Sequence, residues 1–181
     1  MTTKTCCKTS VGLIIYNAAR THILMIKRGT APAGIAPCAG HALDEHASYE
    51  AAGHAEAHEE LGLKLTSLTW LEVGGFHPGR CRRHNSTGHH WRLAEATVTG
   101  QLNPSPREVA AVAWYPLTAL QALAERTAAW ADGRLTTAEF TADPGLEPVF
   151  CHWMDELGLT ELPAGDLDRI ETLAATPPSQ H

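Results

Sequence analysis

The stretch GHALDEHASYEAAGHAEAHEELGL, residues 40–63, decides the fold that this sequence predicts. Its second half is rich in alanine and predicts a helix over 48–61. Ser48 is a suitable N-cap, because its hydroxyl can accept a hydrogen bond from a free backbone N–H in the first helical turn. Gly62 can adopt the left-handed conformation that ends many helices. The first half, up to Ala47, is therefore predicted to be a loop that leads into a helix.

Three glutamates crowd into the last turns of this helix: Glu56, Glu59 and Glu60. An α-helix turns about 100° per residue, so the three side chains fall within one sector roughly 100° wide. Like charges repel there, and the C-terminal end of a helix already carries partial negative charge. A bound divalent cation would reverse the sign of both effects, and carboxylate oxygens suit Mg²⁺ or Mn²⁺. A solvated acidic face is the alternative interpretation of the three glutamates alone.

A second stretch of the chain, MDELGL at 154–159, provides an internal comparison. It is close to the HEELGL of the predicted helix and also looks like a helix end followed by glycine. At the position of Glu56, however, it has His152, so the group of three carboxylates is absent. Glu56 is therefore the residue that distinguishes the first stretch from an ordinary helix end.

Strands and helices are predicted to alternate on both sides of this segment. β-Branched and apolar runs predict strands, and a short strand is expected at the end of a loop over 30–40. The strands are predicted over 10–17, 22–29, 63–75, 91–102 and 109–115, and the helices over 117–131 and 148–157. A long polar loop is predicted over 77–90. Because no repeat or Gly/Ser linker divides the sequence, it predicts one α/β domain over 1–175, with a frayed tail over 176–181.

Composition and charge limit the classes of function. Among 181 residues, 44% are hydrophobic and 19% are charged, values typical of a soluble globular protein. The net charge of -6 gives no polybasic face for a nucleic-acid polymer, and no apolar run is long enough to span a bilayer. The N-terminal MTTKTCCKTS lacks the apolar segment of a signal peptide, and five cysteines without a CxxC pair suit reduced thiols. A cytoplasmic protein is expected, and the adjacent Cys6 and Cys7 are interpreted as an ordinary N-terminal feature.

The order of these features resembles the Nudix box. Its pattern is Gly, five residues, Glu, seven residues, Arg-Glu, an apolar residue, any residue, Glu-Glu, any residue, Gly and an apolar residue, and the match covers Gly40 to Leu63. The similarity extends over residues 11–131, through two early strands that end in Lys27 and Arg28 and a later strand that ends in Trp. The resemblance implies a Nudix-like α/β/α sandwich with a mixed sheet, in which the box forms a loop–helix–loop that binds metal and diphosphate.

Two positions of the box depart from the family pattern. The arginine position falls on Ala55, and the position of the first glutamate falls on Ala47 or His46, depending on the end of the box from which it is counted. Asp44 or Glu45 is a candidate substitute for that missing carboxylate. The family's arginine orients the glutamates by charge-assisted hydrogen bonds, and alanine cannot do this. The box is therefore degenerate, and weaker metal binding and slower turnover are expected consequences.

The resemblance assigns roles to residues of this sequence. Glu56, Glu59 and Glu60 would bind Mg²⁺ or Mn²⁺, with the carbonyl of Gly40 as a further ligand. The general base would be Glu59 or Glu108, since family members often carry this base on the loop before the strand that ends in Trp. The alternative interpretation of Glu108 is an ordinary loop carboxylate, exposed to solvent and without a catalytic role. Substrates of the family typically contain a nucleoside diphosphate linked to another group.

The polar loop and the strands beside it offer candidates for substrate binding. Arg80, Arg82 and Arg83 could contact phosphates, because a guanidinium group can bind two phosphate oxygens at once. Phe76 or Trp91 could stack on a base. A mobile surface loop, with Trp91 in the core, is the plainer interpretation of the same residues.

Cysteines and histidines raise the question of zinc. The loop region contains four of them, namely Cys81, His84, His89 and His90. Their spacing matches no standard zinc motif, which disfavours a metal role for them. His54 and His58 form an i,i+4 pair on the predicted helix, but they point away from the glutamates by roughly 170–180°. They cannot share a metal with the glutamates and are interpreted as structural or exposed.

Three functions are compatible with these residues. The first is metal-dependent hydrolysis of a nucleoside-diphosphate-linked or similar pyrophosphate substrate. The second is binding of a nucleotide or other ligand without hydrolysis, which a degenerate box would allow. The third is an isomerase similar to isopentenyl-diphosphate isomerase, with Cys38 of the stretch CAGH as its acid or base. The expected partner is a small-molecule diphosphate rather than a nucleic acid or a membrane, and homodimers are frequent in the resembled family.

Overall fold

Seven strands and five helices make up the part of the chain that the computed structural model describes, residues 4–81 and 83–176. The strands are β1 Thr9–Ile14, β2 His22–Arg28, β3 Ile35–Ala36, β4 Cys38–His41, β5 Lys64–Pro78, β6 Gly88–Thr99 and β7 Val109–Pro116. The helices are α1 Tyr49–Leu61, α2 Leu117–Ala131, α3 Thr137–Ala142, α4 Pro148–Glu156 and α5 Ala164–Ala175. The order is four strands, α1, three strands and then four helices, so strands and helices do not alternate regularly as the sequence predicted.

The strands form two sheets. One has the order β4-β1-β6-β5, with β1 parallel to β6 and the other pairs antiparallel. The second has the order β3-β2-β7 and is antiparallel. The expected α/β class with a mixed sheet is confirmed. This topology brings β4, which leads into the box, beside β1 and close to the start of β6.

Helix α1 packs on the first sheet through a glycine. A Cβ at Gly53 would lie 3.3 Å from the side chains of both Leu13 and Leu68. The missing side chain therefore lets the helix approach the sheet closely, although glycine in a helix costs about 1 kcal/mol relative to alanine. Ala52 and Ala57 are fully buried on the same side of the helix. The small residues on the buried side of this helix thus allow it to pack closely on the sheet.

Several boundaries differ from the prediction. β5 continues to Pro78 and β6 begins at Gly88, so the loop between them covers 79–87 rather than 77–90. His77 pairs with His89 in the antiparallel ladder of β5 and β6. The polar composition of this segment, which suggested a loop, therefore did not prevent it from forming strands. The residues of the predicted frayed tail after Thr176 lie outside the described part of the chain.

Two of the helices, α3 and α5, were not predicted from the sequence. The start of α3 carries a capping box, in which Thr136 and Glu139 exchange hydrogen bonds with each other's backbone N–H groups. The sequence TTAE contains that signal. Both helices pack, with α4, against the core through Phe140, Phe150, Trp153 and Ile170, which are at most 1% exposed.

None of the helices in the described part of the chain combines the length and the apolar character that crossing a membrane requires.

Candidate active site

A cavity of about 890 Å³ opens where α1, the end of β4, the β5–β6 loop and the start of α4 meet. Its walls carry charges of both signs. The carboxylates include Glu56, Glu59, Glu60, Glu108 and Glu147, and the guanidinium groups include Arg28, Arg80, Arg83 and Arg107. A cavity of this size and charge suits a polar, phosphate-bearing ligand.

Both ends of α1 are fixed as the sequence predicts. The Ser48 hydroxyl accepts a hydrogen bond from the backbone N–H of Ala51 at 3.1 Å. Gly62 adopts the left-handed conformation, with φ of 70°, and its N–H donates to the carbonyl of His58 at 2.9 Å. A Cβ at Gly62 would also lie 2.7 Å from Asn103, so only glycine suits this position. The helix that carries the glutamates is therefore held at each end by a specific cap.

The three glutamates differ in exposure although they share one face of α1. Glu60 is buried, Glu56 is partly buried and Glu59 is exposed, and all three line the cavity. His54 and His58 are exposed, as predicted for the opposite side of the helix. The cavity therefore meets this face of the helix with Glu60 at its floor and Glu59 at its rim.

Strand β4 holds the two inner glutamates from the other side. The backbone N–H of Ala39 donates a hydrogen bond to Oε2 of Glu60 at 3.0 Å. A Cβ at Gly40 would overlap the carboxylate of Glu56, so the absence of a side chain at 40 creates the space that this carboxylate occupies. The glycine that begins the box is thus required by the position of Glu56.

Burial and mutual repulsion raise the pKa values of both inner glutamates. Burial raises the pKa of Glu56 to about 8, and the negative charges of Glu60, Glu59 and Glu108 add to this effect. Burial also raises the pKa of Glu60 to about 7, although the Ala39 N–H and Arg28 act in the opposite direction. These buried carboxylates lack sufficient compensating positive charge. The donor set, hard carboxylate oxygens that are largely buried, therefore fits a divalent cation.

Arg28 is the cation that acts on both inner glutamates, and the sequence did not single it out as a site residue. Its charge lowers the pKa of Glu56 and of Glu60. Its Nη1 lies 3.3 Å from the carboxylate of Glu147, and its Nε donates to the carbonyl of Pro32 at 2.9 Å. These two contacts fix the guanidinium at the end of β2. Arg28 thus supplies from β2 a positive charge that Ala55 of α1 cannot supply.

The proposed substitutes for the missing first glutamate are already paired with cations. Asp44 forms an ion pair with Arg83, and Glu45 forms one with Lys4. Both carboxylates line the cavity. Their charges are therefore balanced by neighbours on the N-terminal segment and the β5–β6 loop, unlike those of the glutamates on α1.

Of the three arginines predicted to contact phosphates, two line the cavity. Arg80 donates from Nε to the carbonyl of Ala175 at 3.0 Å, which ties the β5–β6 loop to the end of α5. Arg83 is paired with Asp44. Arg82 lies outside the described residues. The loop therefore presents at least two guanidinium groups to the cavity.

Phe76 is not among the residues that line the cavity. It is 53% exposed, and its ring contacts His90 at a centroid distance of 5.3 Å. Side chains alternate along a strand, so the neighbouring His77 points inward instead and is 3% exposed. Burial, together with the nearby His152, lowers the pKa of His77 to about 4, so this ring is neutral near pH 7. Phe76 is therefore not placed to contact a ligand in this cavity, whereas Trp91 lines it.

Glu108 lies on the loop before β7 and faces the cavity. The N–H of Gly29 donates to the carbonyl of Glu108 at 2.8 Å, which holds its backbone beside the end of β2. Its side chain is 40% exposed, and its charge raises the pKa values of Glu56 and Glu60. Glu108 is therefore part of the carboxylate cluster, which its sequence position alone does not show.

Cys38 lies in the core beneath the cavity. Its side chain is 1% exposed, and it is not among the lining residues. Burial and the neighbouring Glu60 raise the pKa of its thiol well above the usual value. This thiol is therefore badly placed to exchange protons with a ligand, which argues against the isomerase interpretation.

The sequence and the fold both match known proteins. The sequence model of the NUDIX domain matches residues 8–138. The MutT Nudix hydrolase from Burkholderia pseudomallei superposes with a TM-score of 0.51 and 23% identity, over 61% of this chain and 84% of that chain. The dihydroneopterin triphosphate pyrophosphohydrolase of E. coli gives a TM-score of 0.54 and 17% identity, over 66% of this chain and 87% of that chain. No curated protein sequence matches the chain at a significant level. The chain belongs to the Nudix hydrolase superfamily.

Proposed function

We propose that the protein hydrolyses a nucleoside-diphosphate-linked or similar pyrophosphate substrate with the help of Mg²⁺ or Mn²⁺. The observation that carries the proposal is the cluster of Glu56, Glu60 and Glu108 in one cavity with Arg80 and Arg83. A buried carboxylate cluster without enough positive charge is costly in an apo protein, and a divalent cation offsets that cost. Arginines at the other wall suit the phosphates of a ligand.

The residues of α1 and β4 would hold the cation. Glu56 and Glu60 supply carboxylate oxygens, and Gly40 of β4 packs directly against the Glu56 carboxylate. The Ala39 N–H keeps Glu60 oriented by its hydrogen bond to one carboxylate oxygen. When bound, the cation neutralises diphosphate oxygens and lowers the pKa of an attacking water.

Two carboxylates are candidates for the general base. Glu108 lines the cavity from the loop before β7, and its charge acts on both metal-binding glutamates. Glu59 lies on α1 beside them and is exposed at the rim. We favour Glu108, because a base on a different element from the metal-binding helix can take a proton from a water without giving up a metal contact.

Binding without turnover is the alternative function, and Ala55 favours it. In the family pattern an arginine stands at this position, and here the nearest substitute, Arg28, is shared with Glu147. Glutamates that are held less firmly can still bind a cation and a diphosphate. Catalysis demands tighter positioning, since displacements near 1 Å can cost about 10²-fold in rate.

A phosphate-release screen tests the proposal. The purified protein is offered nucleoside triphosphates, nucleotide sugars, dinucleotides and ADP-ribose, first with Mg²⁺ and then with Mn²⁺. We expect metal-dependent hydrolysis of at least one class. Glu108→Gln should then lower kcat more than Glu59→Gln does. Ligand-induced thermal stabilisation without any turnover would identify a binding protein instead.

Gly40→Ala tests the positioning of Glu56 without removing any charge. The added methyl group would occupy the space of the Glu56 carboxylate, so that carboxylate must rotate away from the cavity. We expect turnover to fall by roughly 10²-fold, with a weaker dependence on Mg²⁺. Gly133→Ala is the matched control, since a Cβ at Gly133 meets nothing within 4 Å, although its positive φ adds some strain. A Gly40→Ala protein with unchanged metal dependence would contradict the assigned role of Glu56.

A further inference from the structure

A second cluster of ligand-type side chains lies beside the cavity, and three of its four residues line it, namely His41, Cys81 and His89. Four atoms converge there within 4.8 Å of one another, and they belong to Cys6, His41, Cys81 and His89. The residues come from the N-terminal segment, the end of β4, the β5–β6 loop and the start of β6. Cys6 and His89 are buried, with 6% and 8% exposure. Segments far apart in sequence thus bring two thiols and two imidazoles to one point.

Two of the three separations measured from Cys6 Sγ match the edges of a tetrahedral zinc site, and the third is about 0.5 Å shorter. Zn–S bonds of about 2.3 Å and Zn–N bonds of about 2.0–2.1 Å give tetrahedral edges of about 3.8 Å between sulfurs and about 3.6 Å between sulfur and nitrogen. The Sγ atoms of Cys6 and Cys81 are 3.7 Å apart. Sγ of Cys6 lies 3.7 Å from Nε2 of His41 and 3.1 Å from Nε2 of His89. An ion can therefore enter with only small movements of the side chains.

Each of the two sulfurs accepts a hydrogen bond from a backbone N–H group. The N–H of Lys8 donates to Sγ of Cys6 at 3.3 Å, and the N–H of Arg83 donates to Sγ of Cys81 at 3.4 Å. In each case the donor is two residues after the cysteine. Such bonds stabilise negative charge on sulfur, which is the form that binds a metal.

The main chain around the cluster is also held in place. The N–H of Cys6 donates to the carbonyl of His84 at 2.8 Å, and the N–H of His84 donates to the carbonyl of Lys4 at 3.0 Å. The N–H of Cys81 donates to the hydroxyl of the buried Ser86 at 2.8 Å. These hydrogen bonds hold the N-terminal segment and the β5–β6 loop against each other without any ion.

We propose that Cys6, His41, Cys81 and His89 bind one zinc ion in a structural site. Four protein ligands close the tetrahedral coordination sphere and leave no position for substrate. The soft sulfur donors separate this site from the glutamate cluster, whose hard oxygens suit Mg²⁺ or Mn²⁺. The ion joins the N-terminal segment and β4 to the loop that carries Arg80 and Arg83, so it fixes one wall of the cavity.

A disulfide between Cys6 and Cys81 is the competing use of the same thiols. It would require the two sulfurs to approach to about 2.05 Å. Both imidazoles would then point at disulfide sulfurs, which carry no negative charge and bind no metal ion. The observed 3.7 Å separation and the two converging Nε2 atoms fit a shared ion better. All five cysteines are free thiols in the structure.

The experiment measures zinc in protein made without a histidine tag and kept reduced throughout. Elemental analysis after gel filtration should find about one zinc per chain, and Co²⁺ substitution should give the thiolate charge-transfer and tetrahedral d–d bands of a sulfur-ligated ion. Cys81→Ser and His89→Ala should each lose most of the zinc and unfold at a lower temperature. Cys81→His, which retains a ligand, should recover zinc.

The neighbouring residues provide matched controls. Cys7→Ser and His90→Ala change the same residue types one position away from the cluster and should keep the zinc. Glu56→Gln should also keep it, which separates this site from the proposed catalytic metal. Reduced wild-type protein that neither contains zinc nor retains it after incubation and desalting would overturn the proposal. So would a Cys6–Cys81 disulfide found by mass spectrometry in protein from a reducing cytosol.

Discussion

Glu56→Gln and Glu60→Gln are each expected to lower kcat/KM by roughly 10²–10⁴-fold, because each removes a charge that binds the catalytic cation. Glutamine keeps the size of the side chain, so the loss reports charge rather than packing. For Glu60 the amide can also turn its oxygen toward the Ala39 N–H, which keeps that hydrogen bond. The measurement is phosphate release at several Mg²⁺ concentrations, on whichever substrate the screen identifies.

Glu50→Gln is the control for these variants, since Glu50 lies exposed in the first turn of the same helix. Its turnover should equal that of the wild type. If high Mg²⁺ restores the rate of Glu56→Gln, the residue serves metal affinity more than positioning. Hydrolysis that persists unchanged in both Glu56→Gln and Glu60→Gln would show that the metal site lies elsewhere.

Glu56→Gln is also expected to stabilise the protein when Mg²⁺ is absent and the pH is alkaline. The pKa values of Glu56 and Glu60 rise from 4.5 to about 8 and about 7 in the folded chain. Folding therefore keeps protons that the unfolded chain releases, and the free energy of unfolding falls as pH rises from about 4.5 to about 8. Replacing Glu56 with a neutral residue removes most of that loss above pH 8.

Thermal unfolding at pH 6 and at pH 8.5 measures this effect. For a chain of this size, each kcal/mol of relief corresponds to roughly 2–4 °C in Tm. The gain from Glu56→Gln should be larger at pH 8.5, whereas Mg²⁺ should stabilise the wild type more than the variant there. Magnesium should be omitted rather than chelated, because a chelator would also remove the proposed zinc. An exposed control, Glu72→Gln, should show no such pH dependence, and a wild type that gains stability up to pH 8 would contradict the coupled cluster.

Local signals were sufficient to predict the helix and its glutamates. Ser48 and Gly62 mark the ends of α1 because capping depends on the residue itself and its immediate neighbours. The helical period alone placed Glu56 and Glu60 on the face opposite His54, and the structure confirms that arrangement. These inferences need no information about the rest of the fold.

Contacts between distant segments could not be predicted in the same way. Arg28 reaches the glutamates from β2, and its partner Glu147 comes from the turn before α4, more than a hundred positions further along the chain. Phe76 and His77 were not separated because the polar composition of 77–90 suggested a loop, and only in a strand do neighbours face opposite sides. The pairing of β5 with β6 determines which of the two side chains faces inward, and such pairing depends on the whole sheet rather than on local sequence.

The four proposed zinc ligands could not be predicted from their spacing in the sequence either. Standard zinc motifs are recognised because their ligands come in pairs a few residues apart. Here Cys6 and His41 come from one end of the chain, while Cys81 and His89 belong to a long loop and the strand after it. A search for fixed spacing therefore passes over Cys6 altogether. The pairing of β1 with both β4 and β6 brings His41 and His89 close to the residues that precede β1.

The helices beyond residue 138 have a practical consequence for anyone who shortens this protein. The family match stops there, yet Phe150 and Trp153 are fully buried, and the Phe150 ring would lie 3.5 Å from a Cβ placed on Gly12 of β1. Truncation of one such aromatic side chain typically costs about 3–5 kcal/mol, against a total stability of about 5–15 kcal/mol. A chain cut at the family boundary should therefore aggregate during expression. We therefore expect the folding unit to extend beyond the residues that match the NUDIX domain.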